Sequence, residues 1–226
     1  MRFTLSSTAL SSKLGALSRV INSKNSLPIL SDFVFEIENN ILHLTASDSE
    51  NMMKTTMELI DSDGNGTFAV GNHDLLEAVK GFSEQPITFD VNLQENIAKI
   101  SYQNGMFSLP VESADEFPKA QEIGHGAHTI TISNGLLADN INRSLFATAQ
   151  DELRPVMNGI YFDLKSDCLS IVASDGHKLV RNNVLTIKSD TPASFIMPKK
   201  PATLLKNLLG KDGGDVTIRF DERNAE

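Results

Sequence analysis

The chain has 226 residues, 40% of them apolar and 22% charged, ordinary values for a folded protein with buried cores and room for one or two domains. No apolar run approaches the roughly 18 residues that span a bilayer, and Met1-Arg2-Phe3-Thr4-Leu5 lacks the long apolar core of a secretory signal. A single cysteine, Cys168, excludes an internal disulfide and fits a reducing cytoplasm, while a net charge of −9 argues at first sight against a nucleic-acid partner.

The pattern predicts a strand at residues 3–5, then a helix whose apolar stripe is Leu10, Leu14, Leu17 and Ile21. The opposite face is Thr8, Ser12, Gly15 and Arg19, small, polar and without negative charge. Strands follow at 33–38, 41–46 and 52–60, the first two joined by Asn39-Asn40, since asparagine tolerates the positive φ of a tight hairpin. After a strand at 68–70 comes a second helix from about His73, with Leu75, Leu76, Val79 and Phe82 inward. Strands at 87–91, 97–102 and 106–110 close this part, and Asn104-Gly105 is the clearest hairpin turn.

The programme then starts again. Pro155, Phe162 and Asp175 each stand 127 residues after Pro28, Phe35 and Asp48, with Leu42/Leu169, Ala46/Ala173 and Ser47/Ser174 in the same register. A period this long means two copies of one domain rather than a solenoid, whose units run about 20–50 residues. The second copy predicts a strand at 129–132, a helix marked by Leu136, Leu137, Ile141 and Leu145, and strands at 160–164, 169–173, 179–187 and 195–197. A second helix starts at Pro201 and buries Leu204, Leu205, Leu208 and Leu209, and a strand at 216–220 follows. Here the offset has moved to 129, pairing Gly81 with Gly210 and Thr88 with Thr217.

Two helices and roughly eight strands per copy give an α+β fold with helices on one side of an antiparallel sheet. The expected boundaries are domain 1 at 1–123, a linker at 124–128 and domain 2 at 129–226. Nothing after residue 220 matches the 97–110 hairpin, so the second domain is expected to be incomplete, with sheet edges left unpaired.

The charge is unevenly spread. Residues 1–31 carry Arg2, Lys13, Arg19 and Lys24 without an acid, and residues 191–211 carry Lys199, Lys200, Lys206 and Lys211 without an acid. Either this is chance clustering or the protein presents one positive face inside a negative shell.

Chemical motifs are few. Asp61-Ser62-Asp63-Gly64-Asn65-Gly66 mimics the start of a calcium loop, but position twelve is Asn72 and strands flank it, so a β-turn is the better reading. Ser174-Asp175-Gly176-His177 holds the residue types of a hydrolase triad, yet triad members converge from separated positions. Ala-Ser-Asp recurs at 46–48 without a histidine, so a shared turn with the Asp oxygen on backbone N–H groups explains both copies. Only Gly176 and His177 are special to the second. Cys168 stands opposite Ile41 in the repeat, a buried strand position. His125 and His128 make a weak metal pair in the linker. With no Walker loop, GxGxxG or paired catalytic carboxylates, no cofactor and no catalysis are expected, and binding or scaffolding is the natural role.

Leu27-Pro28-Ile29-Leu30, Thr45-Ala46-Ser47-Asp48, residues 107–118 ending Asp115-Glu116-Phe117-Pro118, Met157-Asn158-Gly159 and Ser174-Asp175-Gly176-His177-Lys178-Leu179 together resemble the bacterial DNA sliding clamp family, the beta subunits of DNA polymerase III. The resemblance runs from Met1 to Glu226. It implies three copies of one fold per subunit, and two subunits closed head to tail into a ring with helices lining the hole. The third domain would be absent from this chain. It further implies a non-catalytic processivity factor that encircles duplex DNA without reading sequence. By matching position, Lys24, Gln150, Lys199 and Lys200 would face the DNA, with Arg19 and Arg143 as weaker additions. A partner-peptide cleft for polymerase, clamp loader and repair proteins would take Arg154, Met157, Ser174, Gly176, His177, Lys178 and Leu179 from this chain. Plain core packing is the alternative for Met157 and Leu179. Lys178 stands where arginine is common, which keeps the charge and loses the planar fork. Two readings from other classes compete with this one: a two-domain protein adaptor without a DNA role, and a hydrolase using His177.

Overall fold

The computed structural model describes residues 1–25, 27–150, 153–210 and 213–226. Lys211 of the second basic segment lies outside the described residues. The chain divides into two compact units, Met1–Ala120 and Gln121–Glu226.

The first unit begins with β1 (Arg2–Ser6) and α1 (Ser7–Leu17), whose start is capped by Ser6 Oγ accepting the Ala9 N–H at 3.2 Å. Leu10, Leu14 and Leu17 are buried as the stripe predicts, but Ile21 falls beyond the helix. The reason is a tightening of the last turn. Arg19 N donates to Ala16 O and Val20 N to Leu17 O, both i→i−3 bonds, which swing Val20 into the core position instead.

Next come β2 (Asp32–Glu38), β3 (Ile41–Ser47), β4 (Met52–Glu58), β5 (Asp61–Ser62), β6 (Gly66–Gly71), α2 (Asn72–Lys80), β7 (Pro86–Asn92), β8 (Ile97–Tyr102) and β9 (Gly105–Glu112). They form one antiparallel sheet in the order β4-β3-β2-β6-β9-β8-β7-β1-β5. Asn39 and Asn40 take φ of 52° and 64°, the left-handed pair that a two-residue hairpin requires. The second hairpin is shifted by one from expectation. Tyr102 pairs with Gly105, so the loop is Gln103-Asn104 and the glycine opens β9, with the Tyr102 hydroxyl 3.1 Å from where a Cβ would stand. The calcium-like segment is edge structure: Phe3 and Thr4 pair with Ser62 and Asp61, and Asp63 Oδ1 accepts the Arg2 N–H at 2.7 Å. Phe82 is only half-buried and joins a ring cluster with Tyr102 and Phe107.

The second unit holds β10 (His128–Ser133), α3 (Asn134–Leu145), β11 (Gly159–Leu164), β12 (Leu169–Ser174), β13 (Leu179–Val184), β14 (Ala193–Pro198), α4 (Lys199–Leu208) and β15 (Asp215–Phe220). Its four-stranded sheet β13-β12-β11-β14 repeats β4-β3-β2-β6, and its pair β10-β15 repeats β1-β7. The register agrees residue by residue. Phe35 faces Phe68 and Phe162 faces Phe195, while Thr4 faces Thr88 and Thr131 faces Thr217. In the first unit β9 and β8 join the two halves. In the second, Arg219 and Glu226 exchange two backbone hydrogen bonds, so the final residues take the first step of that hairpin, which the sequence pattern missed. The strand count is therefore nine and six among the described residues, not roughly eight twice.

The helix α4 starts two residues before Pro201, placing the proline within the first turn where its missing N–H is an orphan anyway. Ala202 and Leu204 are buried and Leu205 and Leu209 pack at the margin of the core, but Leu208 is exposed. Burial in both units centres on phenylalanines. Phe3, Phe33, Phe35, Phe68 and Phe89 are enclosed in the first and Phe162 and Phe220 in the second, each worth about 2–3 kcal/mol of apolar burial.

Candidate functional site

The Ala-Ser-Asp segments build the same turn in both units. Asp48 Oδ1 accepts the N–H groups of Glu50 and Asn51 at 3.0 and 2.7 Å, and Asp175 Oδ1 accepts those of His177 and Lys178 at 2.9 and 2.7 Å. Ser47 Oγ accepts the Ser49 N–H and Ser174 Oγ the Gly176 N–H, each at 3.2 Å. The third turn residue is left-handed in both, Ser49 at φ 82° and Gly176 at φ 88°. Glycine meets that demand without a Cβ penalty, so Gly176 answers the backbone before it answers any ligand. Its bare face also admits Arg154, whose Nη1 lies 3.5 Å from the place a Cβ would take.

These bonds dismantle the triad reading. Ser174 Oγ donates to Lys178 O at 2.8 Å, and Asp175 spends its oxygens on two backbone N–H groups and on Lys178 Nζ at 3.0 Å. Neither residue activates the other.

The N–H groups of Lys178 and His177, with the Lys178 ammonium, hold the Asp175 carboxyl well below the usual carboxylate range. A depressed pKa keeps its contribution at full strength above the ordinary value and loses it only in stronger acid. The His177 and Lys178 amide resonances should therefore stay in place as pH falls through about 3.9, where a free aspartate titrates. A shift with its midpoint there would show that the carboxylate is not held.

Lys178 reaches further. Its Nζ donates to Phe146 O at 3.1 Å and lies 5.8 Å from the Phe146 ring centroid. Phe146, at the end of α3, is 60% exposed. A groove of about 390 Å³ brings Phe146, Arg154, His177 and Lys178 together with Gln150 and Lys199. It thus joins three of the expected peptide residues to two of the expected DNA residues. Met157, Ser174, Gly176 and Leu179 do not line it. Leu179 is 72% exposed, which removes core packing as its explanation, whereas Met157 is half-buried with its carbonyl accepting the Ala149 N–H at 2.8 Å.

Sequence reasoning missed Phe146, Leu153 and Val156, all exposed apolar side chains beside these residues. A signal existed for the first. Phe146 stands nine residues after Leu137, and at about 100° per residue that puts it on the side of the helix opposite the buried stripe.

Of the DNA-facing candidates, Lys24, Arg19, Arg143 and the neutral Gln150 are exposed and Lys199 and Lys200 half-exposed. Lys199 and Lys200 open α4, whose first turn has no acid. Two cations thus sit on the positive end of the helix dipole, a poor choice for helix stability and a good one for attracting phosphate. The first unit departs from expectation at Thr8. Glu84 accepts hydrogen bonds from the Ser6 and Thr8 hydroxyls, so the start of the polar face of α1 carries a negative charge. Those hydroxyls, Thr8 first, lower the Glu84 pKa. Lys13, outside that face, donates to Thr55 on β4 at 3.1 Å. Among the described residues no three His, Cys, Asp or Glu side chains gather for a metal, and no helix is long and apolar enough to cross a membrane.

Known proteins show the same architecture. The beta sliding clamp of Pseudomonas aeruginosa is 28% identical over 219 residues, covering 96% of this chain and 59% of that protein. That of Buchnera aphidicola subsp. Rhopalosiphum padi is 28% identical over 209 residues, covering 92% and 57%. The crystal structure of the Pseudomonas aeruginosa sliding clamp bound to griselimycin superposes with a TM-score of 0.91 at 28% identity, over 98% of this chain and 60% of that one. The beta subunit from Thermotoga maritima gives 0.85 at 26% identity, over 99% and 60%. The chain thus spans about three fifths of the length of the relatives it matches. Residues 1–121 match the DNA polymerase III beta subunit N-terminal domain and residues 131–226 its central domain, and the chain belongs to that family.

Proposed function

We propose that this chain supplies two domains of a sliding clamp, a non-catalytic processivity factor that encircles duplex DNA in the cytoplasm and tethers polymerase, clamp loader and repair proteins through short linear peptides. A head-to-tail homodimer completed by a third domain per subunit would close the ring. The observation that carries this reading is the paired match to consecutive domains of one family, on a fold whose two units repeat the same register. Lys199 and Lys200, with Lys24, Gln150, Arg19 and Arg143, make sequence-independent contacts to phosphate. Arg154, Met157, Ser174, Gly176, His177, Lys178 and Leu179 supply one side of the peptide cleft.

Two measurements test it. Charge reversal at Lys199 and Lys200 should weaken association of the 226-residue chain with duplex DNA at low salt and reduce the slope of log K against log salt by about one per lysine. A pure protein adaptor predicts no change. The ring-closing form should stay on nicked circular DNA and slide off after linearisation, and equal loss from both would sink the clamp reading.

A further inference from the structure

The two halves of the first unit's sheet meet where β9 pairs with β6, through two residue pairs, Ala69↔Glu112 and Val70↔Val111. On the other side of β6, Gly71 faces Asp32 of β2. Residues 69 and 71 share a face of β6, so Asp32 and Glu112 share it too, diagonally across a strand that offers only an alanine and a glycine between them. A Cβ on Gly71 would stand 4.0 Å from Asp32 Oδ1, so the carboxyl lies over the bare backbone there. The repeat sharpens this. The second unit reverses the pair, with Gly159 on β11 facing Pro198 on β14, and a side chain at 159 would strike the Met197 carbonyl.

The same face carries a small apolar cluster of Ile29, Leu30, Val34, Ala69 and Phe117, with Ala114 packed against it. Ala114 and Phe117 belong to the segment that leaves β9, folded back by the Phe117 N–H donating to Ala114 O at 3.0 Å. We propose that Asp32, reaching over β6 toward Glu112, forms a latch over this joint, closed while Asp32 keeps its proton and loosened when it ionises.

Burial, then the hydrogen bond to Glu112 and the Glu112 charge, push Asp32 up to about 7. Gly71 faces it on β6, Asn72 beside that glycine donates its amide to Ser31 O, and the β2–β3 register extended by two residues brings Ser47 opposite. The charged groups of the segment packed on this face, Asp115 and Glu116, are exposed. Opened, Asp32 ionises as a free aspartate does, near pH 4, or about 3.9. Opening therefore releases a proton between those limits, higher pH favours it, and the effect is complete above about pH 7.

The test uses the 226-residue chain. Carbon NMR of the side-chain carboxyls should give Asp32 a midpoint near 7. Amide exchange at β9 and residues 113–117, corrected for intrinsic rates, should report opening that rises by up to about tenfold per pH unit below that midpoint. Asp32→Asn should flatten the slope. Glu112→Gln should lower the Asp32 midpoint yet leave it above the ordinary value, because burial is the larger cause. An Asp32 midpoint below about 5, or a slope that Asp32→Asn leaves intact, overturns the latch. Should Asp32→Asn fail to fold, the Glu112→Gln midpoint and the parent titration decide.

Discussion

Gly159→Ala should destabilise the second unit by about 3 kcal/mol and lower its melting temperature by about 15 °C. A Cβ at 159 would lie 2.6 Å from the carbonyl oxygen of Met197 and 2.6 Å from Ile196 Cγ2. The isoleucine methyl can rotate away. The carbonyl cannot, because Met197 is part of β14 and registered against Ile160 on β11. Relief requires β11 and the edge strand β14 to part, which loosens Phe162 against Phe195 two pairs further along the same ladder. Gly135→Ala is the control, since nothing lies within 4 Å of its added methyl and the site is the first turn of α3. It should be neutral or stabilising by up to about 1 kcal/mol. Thermal unfolding of the two variants decides, and equal behaviour would mean that β11 and β14 are not held as described.

The repeat made much of this fold legible before any coordinates. A period of 127 sets Phe35 on Phe162 and Asp48 on Asp175, and those pairs take equivalent ladder and turn positions. Hydrophobic alternation located the strands because each sheet buries one face. Patterns failed where backbone bonding outweighed periodicity. The tightened end of α1 exchanged Ile21 for Val20, and the loop at 103–104 moved because Tyr102 pairs with Gly105. The site was legible in part. The Asx turn of Asp175 follows from Ala-Ser-Asp appearing twice, and the resemblance named Arg154, His177 and Lys178. Phe146 needed three dimensions, for its link to Lys178 spans 32 residues of chain. The Asp32–Glu112 pair was invisible for the same reason, since only strand order brings β2 and β9 to either side of β6.

Phe35→Ala should cost the first unit about 4 kcal/mol, the largest loss expected of any single substitution considered for this chain. Phe35 is fully buried, stacked on Phe68 with centroids 5.1 Å apart and tilted against Phe89 at 6.0 Å, while Phe3 stacks on Phe89 at 4.9 Å. These four rings come from β2, β6, β7 and β1, strands on both sides of the two-pair joint at β9. Removing the ring therefore opens a cavity and also cuts the aromatic bridge between the half-sheets, so the cost should exceed that of a buried phenylalanine with a single ring partner. Phe162→Ala makes the matched comparison. Phe162 stacks on Phe195 at 4.9 Å, and Phe195 meets Phe220 of β15 at 4.5 Å. The substitution removes one ring partner rather than two, and about 3 kcal/mol is expected. Denaturant unfolding followed by probes placed in each unit measures both. If Phe35→Ala cost no more than Phe162→Ala, the ring quartet would add nothing beyond ordinary burial, and the joint at β9 would have to be held by its own hydrogen bonds and the apolar cluster around Phe117.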